Sequence, residues 1–291
     1  MLLGALEAGG TKMVCAIGDE NGTLIHRMSV PTKTPEETIP QLIAYFKEHN
    51  IDALGIGTFG PADLNPASET YGCITTTPKL AWSGYNIRKA FTDALHIPVG
   101  FDTDVNAAAL GEASYGCMQQ MQNGIYITIG TGIGVGILAE GKLLHGMLHP
   151  EGGHILLEQH PSDNYKGCCP YHRNCFEGLA SGPSIEGRYG KKAIELSDLP
   201  DVWELEADYI AKALVHYILI LSPERIVLGG GVMHQSQLFP LIRKKTAEYL
   251  NGYIKTKELE NMDTYIVPPS LNDNQGVLGC LKLAYRATGM L

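Results

Sequence analysis

The chain has 291 residues, of which 44% are hydrophobic and 18% charged, and its net charge is −9 at pH 7. That length supports two units with cores of their own, and the composition is that of a globular protein. The acidic balance and the lack of a basic run exclude nucleic-acid binding by phosphate neutralisation, and the longest apolar run, near 217–221, is too short to span a bilayer. Four of the seven cysteines, Cys15, Cys73, Cys117 and Cys280, are scattered through apolar context. That fits a reducing compartment rather than a disulfide framework. The N-terminus lacks the positive region of a signal peptide, so a cytoplasmic location is expected.

The N-terminal part alternates β-rich runs with turns. Residues 2–8, 13–18 and 23–30 predict three strands, the second break carrying the hairpin signal Asn21-Gly22. Thr34 as N-cap with Pro35 in the first turn opens a helix to about residue 49. Residues 53–58 read as a buried strand, 86–95 as a helix, 99–102 as a strand and 105–115 as an Ala-rich helix. A second unit follows: strands at 124–130 and 133–140, a metal loop over about 149–177, and a helix over 201–221. In that helix Val202, Leu205, Tyr209, Ala213, Tyr217 and Leu221 recur at helical spacing. A strand at 225–228 ends in Gly229-Gly230-Gly231, before a helix at 235–250, a strand at 264–267 and a helix at 274–286. Strand triplets followed by helix–strand alternation occur twice, which predicts an α/β protein of two related lobes with a cleft between them.

Three glycine-rich turns are candidate phosphate or nucleotide contacts. In Glu7-Ala-Gly9-Gly10-Thr11-Lys12 the backbone N–H groups can approach a phosphate because no Cβ intervenes, with Thr11 offering a hydroxyl and Lys12 a cation; a plain hairpin turn is the alternative. Gly130-Thr131-Gly132-Ile-Gly134-Val-Gly136 strips one face of a strand pair, which implies close approach of a ligand or a neighbouring backbone. Gly229-Gly230-Gly231 is placed to admit a base or ribose. Two familiar motifs fail. Gly55-Ile-Gly57-Thr-Phe-Gly60 matches a dinucleotide fingerprint, but Pro61 and Asp63-Leu-Asn-Pro66 block the helix it needs. Gly136-Ile-Leu-Ala-Glu-Gly141-Lys142 lacks the hydroxyl of a Walker loop, having Leu143 instead.

Asp102-Thr103-Asp104-Val105-Asn106 sets two acids where a strand end meets a helix start. Asp104 reads either as the helix N-cap, a role open also to Asp102 or Thr103, or as a general base at the end of a buried strand.

Glu151-Gly-Gly-His154 and Cys169-Pro-Tyr-His172-Arg-Asn-Cys175-Phe-Glu177 carry the donors of a tetrahedral zinc. Cys169, His172 and Cys175 supply three ligands from one turn, and His154 closes the shell. Cys168 is a competing ligand; symmetric spacing favours Cys169. Four protein ligands leave no position for water, so the metal is expected to be structural. It would brace a loop whose edges carry Glu151 and Glu177.

Glu7–Lys12, Asp102–Ala107, Gly130–Gly134, Glu151–His154 and Cys169–Pro183, in that chain order, together resemble the ROK family of sugar kinases and repressors, and the Cys-Pro-Tyr-His-x2-Cys loop most resembles its bacterial fructokinase branch. The resemblance implies an actin-like, ribonuclease-H-like ATPase fold with 1–115 plus 272–291 as a smaller N-terminal lobe and 116–271 as a larger one. It implies an ATP-dependent fructokinase making fructose 6-phosphate, with Asp104 as general base. Thr103, Glu151, His154 and Glu177 would lie with Asp104 on the sugar side, His154 ligating zinc as well. Gly10, Thr11, Lys12, Thr131, Gly132, Pro183, Gly230 and Gly231 would meet ATP. Magnesium is implied beside the phosphates, with Glu7 its candidate ligand where the family usually has Asp. Thr103 stands where many glucokinases of the family have Asn, which favours a sugar other than glucose. A glucokinase or mannokinase of broader hexose range, or a non-catalytic sugar sensor, are the alternatives. A homodimer is expected.

Overall fold

A computed structural model of the chain describes residues 1–77 and 79–290. In chain order these form β1 (Leu3–Ala8), β2 (Lys12–Gly18), β3 (Leu24–Pro31), α1 (Pro35–Glu48), β4 (Ala53–Thr58), α2 (Ile87–Leu95), β5 (Val99–Thr103) and α3 (Asp104–Tyr115). There follow β6 (Gly124–Ile129), β7 (Ile133–Ala139), β8 (Lys142–Leu143), α4 (Phe176–Ala180), α5 (Gly182–Tyr189) and α6 (Pro200–Leu221). The last elements are β9 (Arg225–Gly229), α7 (Leu238–Leu250), α8 (Lys257–Glu260), α9 (Met262–Tyr265), β10 (Ile266–Val267) and α10 (Gln275–Ala287).

The chain divides into two compact units. The first comprises Met1–Gln120, Lys142–Pro150 and Ser270–Leu291; the second comprises Met121–Gly141 and Glu151–Pro269. The segment Lys142–Pro150, assigned to the second lobe on sequence, belongs with the first unit, which is the larger of the two. The sheets share one topology: β3-β2-β1-β4-β5 and β8-β7-β6-β9-β10. In the first, β1 runs antiparallel to β2 and parallel to β4, and β4 parallel to β5. In the second, β6 runs antiparallel to β7 and parallel to β9. The twofold strand–helix repeat thus builds two sheets of the same order.

In the first unit the period-2 alternation of β1 divides two cores. Leu6 and Ala8 join Leu42 and Phe46 of α1 and Phe91 of α2. Leu3 and Ala5 face Ala107 and Leu110 of α3 and Val277, Leu281 and Ala284 of α10. Glycines set how closely α10 can dock. A Cβ on Gly55 of β4 would strike the Cys280 carbonyl, one on Gly100 of β5 the Leu283 carbonyl, and one on Gly279 the Ala107 carbonyl. The rejected dinucleotide-like motif therefore has a packing role: Gly55 and Gly57 admit α10 against the sheet, and the buried Cys280 thiol donates to the Leu6 carbonyl at 3.3 Å.

Three expectations are corrected. The stretch at 264–267 is strand only at Ile266–Val267, because Met262–Tyr265 takes a helical turn. The helix expected from 235 begins at Leu238, after a 3-10 turn at Gly231–His234. Helices α4 and α5 occupy the Gly/Ser/Pro-rich stretch after the metal loop, where Pro183 stands in the first turn of α5 and lacks an amide the helix would leave unpaired anyway.

Gly279 gives a test in which two effects oppose. Alanine in a helix interior is favoured over glycine by about 1 kcal/mol, but overpacking typically costs about 1–3 kcal/mol or more. Gly279→Ala should therefore destabilise the protein, read as a lower urea midpoint. A midpoint raised by the substitution would contradict the close docking of α10.

Candidate active site and metal centre

In the first unit the parallel strands end in one row. Ala8 pairs with Thr58, and Thr58 with Thr103. The carboxyl ends of such strands are where α/β proteins gather ligands. The turn after β1 is tight: the Gly9 amide donates to the Lys12 carbonyl at 3.1 Å, and a Cβ on Gly9 would stand 2.8 Å from that oxygen. Gly9 is thus a requirement of the turn itself. Gly10 is different, since the nearest atom to a Cβ there is Cε of Lys79, at 3.4 Å. Thr11 and Lys12 are exposed. Glu7 packs its carboxyl against Gly276 in the first turn of α10, where a Cβ would stand 2.6 Å from it. Burial raises the Glu7 carboxyl above its ordinary value, against the pull of Arg27 and Lys12.

The junction of β5 and α3 resolves the capping alternatives. Thr103 is the N-cap, its hydroxyl accepting from the Asn106 amide at 3.2 Å. Asp104 is the first residue of the helix and is half-buried, its Oδ1 accepting from the Val105 amide at 2.8 Å. Thr103 is 2% exposed. Through this cap Thr103 positions Asp104 at the start of the helix. Asp102 is buried: Oδ1 accepts from the Thr103 amide at 2.8 Å and Asn106 Nδ2 at 2.7 Å, while Oδ2 lies 2.9 Å from His145 Nε2. That bond raises the His145 pKa above its ordinary value. Nearby, His149 Nε2 accepts from the Ala62 amide at 3.2 Å, and burial lowers its pKa. Sequence reading missed His145, His149 and Lys79, all far in sequence from the motifs they join.

In the second unit the Gly130–Gly132 turn is bounded on two sides. Glu177 Oε2 accepts from the Ile133 amide at 3.0 Å and would stand 2.8 Å from a Cβ on Gly132. The Gly182 amide donates to the Gly130 carbonyl at 2.8 Å. The Gly231 nitrogen would stand 3.8 Å from a Cβ on Gly130. Gly230 has φ +90°, where a Cβ would strike the Ile129 backbone. Thr131, Pro183 and Gly231 are exposed beside one another's turns. The Gly152–His154 turn lies against β7, with a Cβ on Gly153 striking the Ile133 carbonyl. The Gly152–Gly153 turn thus packs on Ile133 and Val135, the residues that alternate with the glycines of β7.

The four predicted metal ligands come together. Nitrogen or sulfur atoms of His154, Cys169, His172 and Cys175 all lie within 4.8 Å of one another. His154 Nδ1 is 3.8 Å from Cys169 Sγ and 3.5 Å from Cys175 Sγ. Zinc bonds of about 2.0–2.3 Å imply ligand separations of roughly 3.3–3.8 Å, so the cluster is compatible with a zinc site. Cys168 turns the other way, its Sγ 3.1 Å from Ser184 Oγ and 3.4 Å from Ser181 Oγ. Cys169 is thus the member of the cluster. Burial, and after it Cys169, push the Cys175 thiol up to about 12 against a bond from the Gly178 amide; a divalent cation would reverse that balance by binding the thiolate. Glu151 keeps solvent contact, yet the protein packed round its carboxyl, and then Glu177, raise it to about 7.

The ROK family model matches residues 3–287 of the chain. The chain belongs to the ROK family. A ROK relative from Bacillus subtilis is 54% identical over 98% of this chain and 96% of its own. A Pediococcus pentosaceus protein named fructokinase is 47% identical over 99% of both chains. Among solved structures, the ROK hexokinase from Thermus thermophilus covers 99% of both chains with TM-score 0.82 at 26% identity. No helix among the described residues of this ROK protein is long and apolar enough to cross a membrane.

An acid whose folded pKa exceeds its unfolded value favours the fold when protonated. For Glu151 that contribution is full below about pH 4.5 and is lost as pH rises through about 7. Glu151→Gln should thus melt above wild type at about pH 8, by on the order of 2–4 °C after solvent screening, and level with it in acid. Equal melting at both pH values would contradict the raised carboxyl.

Proposed function

We propose that this chain is an ATP-dependent fructokinase, converting D-fructose and ATP to fructose 6-phosphate and ADP. The observation that carries the reading is the near full-length likeness, at 47% identity, to a protein named fructokinase. The sugar hydroxyl oxygen bonds to the γ-phosphorus, the bond to the ADP oxygen breaks, and the hydroxyl proton passes to Asp104. Thr103 and Asp102 support that role by capping and clamping the helix on which Asp104 sits. Glu151, Glu177 and the Nε2 edge of His154 bind the sugar hydroxyls.

The turns at Gly10-Thr11-Lys12 and Thr131-Gly132, with Pro183, Gly230 and Gly231, hold the nucleotide. The exposure of Thr11, Lys12, Thr131, Pro183 and Gly231 supports this. Magnesium, when bound, neutralises phosphate charge; it takes oxygen donors and keeps several waters, and the Glu7 carboxylate beside the first turn is its candidate protein ligand. Zinc held by His154, Cys169, His172 and Cys175 is structural, since the four donors fill a tetrahedral shell. A cytoplasmic homodimer completes the reading, on the family resemblance. A broader hexose range is the second reading, favoured by the likeness to the Thermus hexokinase.

A coupled ADP-release assay over a panel of hexoses tests the activity. Fructose should turn over fastest; release with no hexose would end the kinase reading, and faster release with glucose would favour the second. Asp104→Asn should lower kcat by about 10²–10⁴-fold with the fructose KM little changed. A variant retaining wild-type kcat would remove Asp104 from the chemistry. Metal analysis should find one zinc per chain, and stripping it with a chelator should lower the melting temperature; an apoprotein of unchanged stability would contradict a structural zinc.

A further inference from the structure

Asp102 leaves one group of its surroundings unaccounted for. The carboxylate itself is fully engaged, with bonds from the Thr103 amide, Asn106 Nδ2 and His145 Nε2. The Asp102 side chain is 5% exposed, but that of His145 is 41% exposed. The bond to Asp102 uses Nε2, and His145 has no other hydrogen bond among the described residues. An imidazole held in this way has a fixed ring orientation and keeps Nδ1 outside that bond, as an acceptor in the neutral ring and a donor in the imidazolium.

The anchoring point lies close to the chemistry. Asp102 is two residues before Asp104, a separation of at most about 7 Å along extended chain, comparable with the width of one sugar ring. The residue between them, Thr103, is 2% exposed and its hydroxyl accepts the cap bond of α3. His145 is a polar side chain tied to this junction and still open to solvent.

We infer that His145 is a specificity-determining residue: its Nδ1 edge hydrogen-bonds a hydroxyl of the acceptor hexose while Asp102 holds its Nε2. The inference rests on the sugar-kinase reading and adds to it a contact from the segment Lys142–Pro150. Asp102 acts through His145 and is a positioning residue.

A purely structural partner of Asp102 predicts something different. Losing such a partner would disturb the β5–α3 junction, misplace Asp104, and lower kcat for every hexose alike. Losing a sugar contact raises KM and does so unequally among hexoses, because each places its hydroxyls differently.

The test uses the wild-type enzyme with His145→Gln and His145→Asn. Both variants should melt near wild type and keep kcat with fructose. Both should lose about 10- to 100-fold in kcat/KM for fructose through KM, the scale of one hydrogen bond to a charged or polarised group, and the fructose-to-mannose ratio of kcat/KM should change. In the proton spectrum of the wild type, the imidazole signal missing from both variants should shift on adding fructose without nucleotide. An unchanged KM in both variants, an equal loss of kcat on every hexose, or an imidazole signal that no hexose moves would each overturn the inference while leaving the kinase reading intact, provided the wild type phosphorylates fructose. A wild type that phosphorylates no hexose and whose imidazole no hexose moves would overturn both.

Discussion

The candidate site depends on one buried carboxylate. Asp102 is the penultimate residue of β5, and its two oxygens take hydrogen bonds from a backbone amide, an asparagine amide and an imidazole. A buried charge is tolerable only when it is bonded in this way. The two Oδ1 bonds lock the strand end to the helix, so that Thr103 caps and Asp104 follows as the first helical residue. The orientation of the proposed base is thereby a consequence of strand-end geometry, and a short side chain on a capped helix start has little freedom to leave it.

Close backbone approach is the second constraint, and both units use it. In the first, α10 reaches the sheet because Gly55, Gly57 and Gly100 lack side chains, and it reaches α3 through Gly279. In the second, Gly153 meets the Ile133 carbonyl and Gly132 meets the Glu177 carboxyl. Glycine-rich turns in this chain therefore have two origins that a sequence does not separate. Gly9 and Gly230 satisfy the backbone of their own turns, whereas Gly10 and Gly231 leave room that packing does not demand. The latter pair carries the stronger case for ligand approach.

Much of this was legible in the sequence, for identifiable reasons. Apolar, β-rich runs bounded by glycine turns marked β1 and β2 to within a residue, and helical periodicity marked α6 (Pro200–Leu221). The cluster of His154, Cys169, His172 and Cys175 was legible because few side chains bind soft cations and their spacing is characteristic. Cys168 and Cys169 could not be separated by spacing, since adjacent residues point to opposite sides and only the turn decides which faces inward. Helices α4 and α5 were hidden by Gly178, Ser181, Gly182 and Pro183, which read as loop until the Cys175 cap and the N-terminal place of Pro183 are seen. The cap at Thr103 was an alternative to Asp104, which the sequence offered first, because all three residues at the junction carry capping side chains. His145 carried no local signal at all, being 43 residues from its partner.

The most direct measurement of the central claim is a crystal structure of the wild-type protein with fructose and a non-hydrolysable ATP analogue. The account predicts an Asp104 carboxylate oxygen within hydrogen-bond reach, about 2.6–3.2 Å, of the 6-hydroxyl, with that hydroxyl facing the terminal phosphoryl group. A bound sugar whose 6-hydroxyl is paired with a different base, and beyond the reach of Asp104, would contradict it.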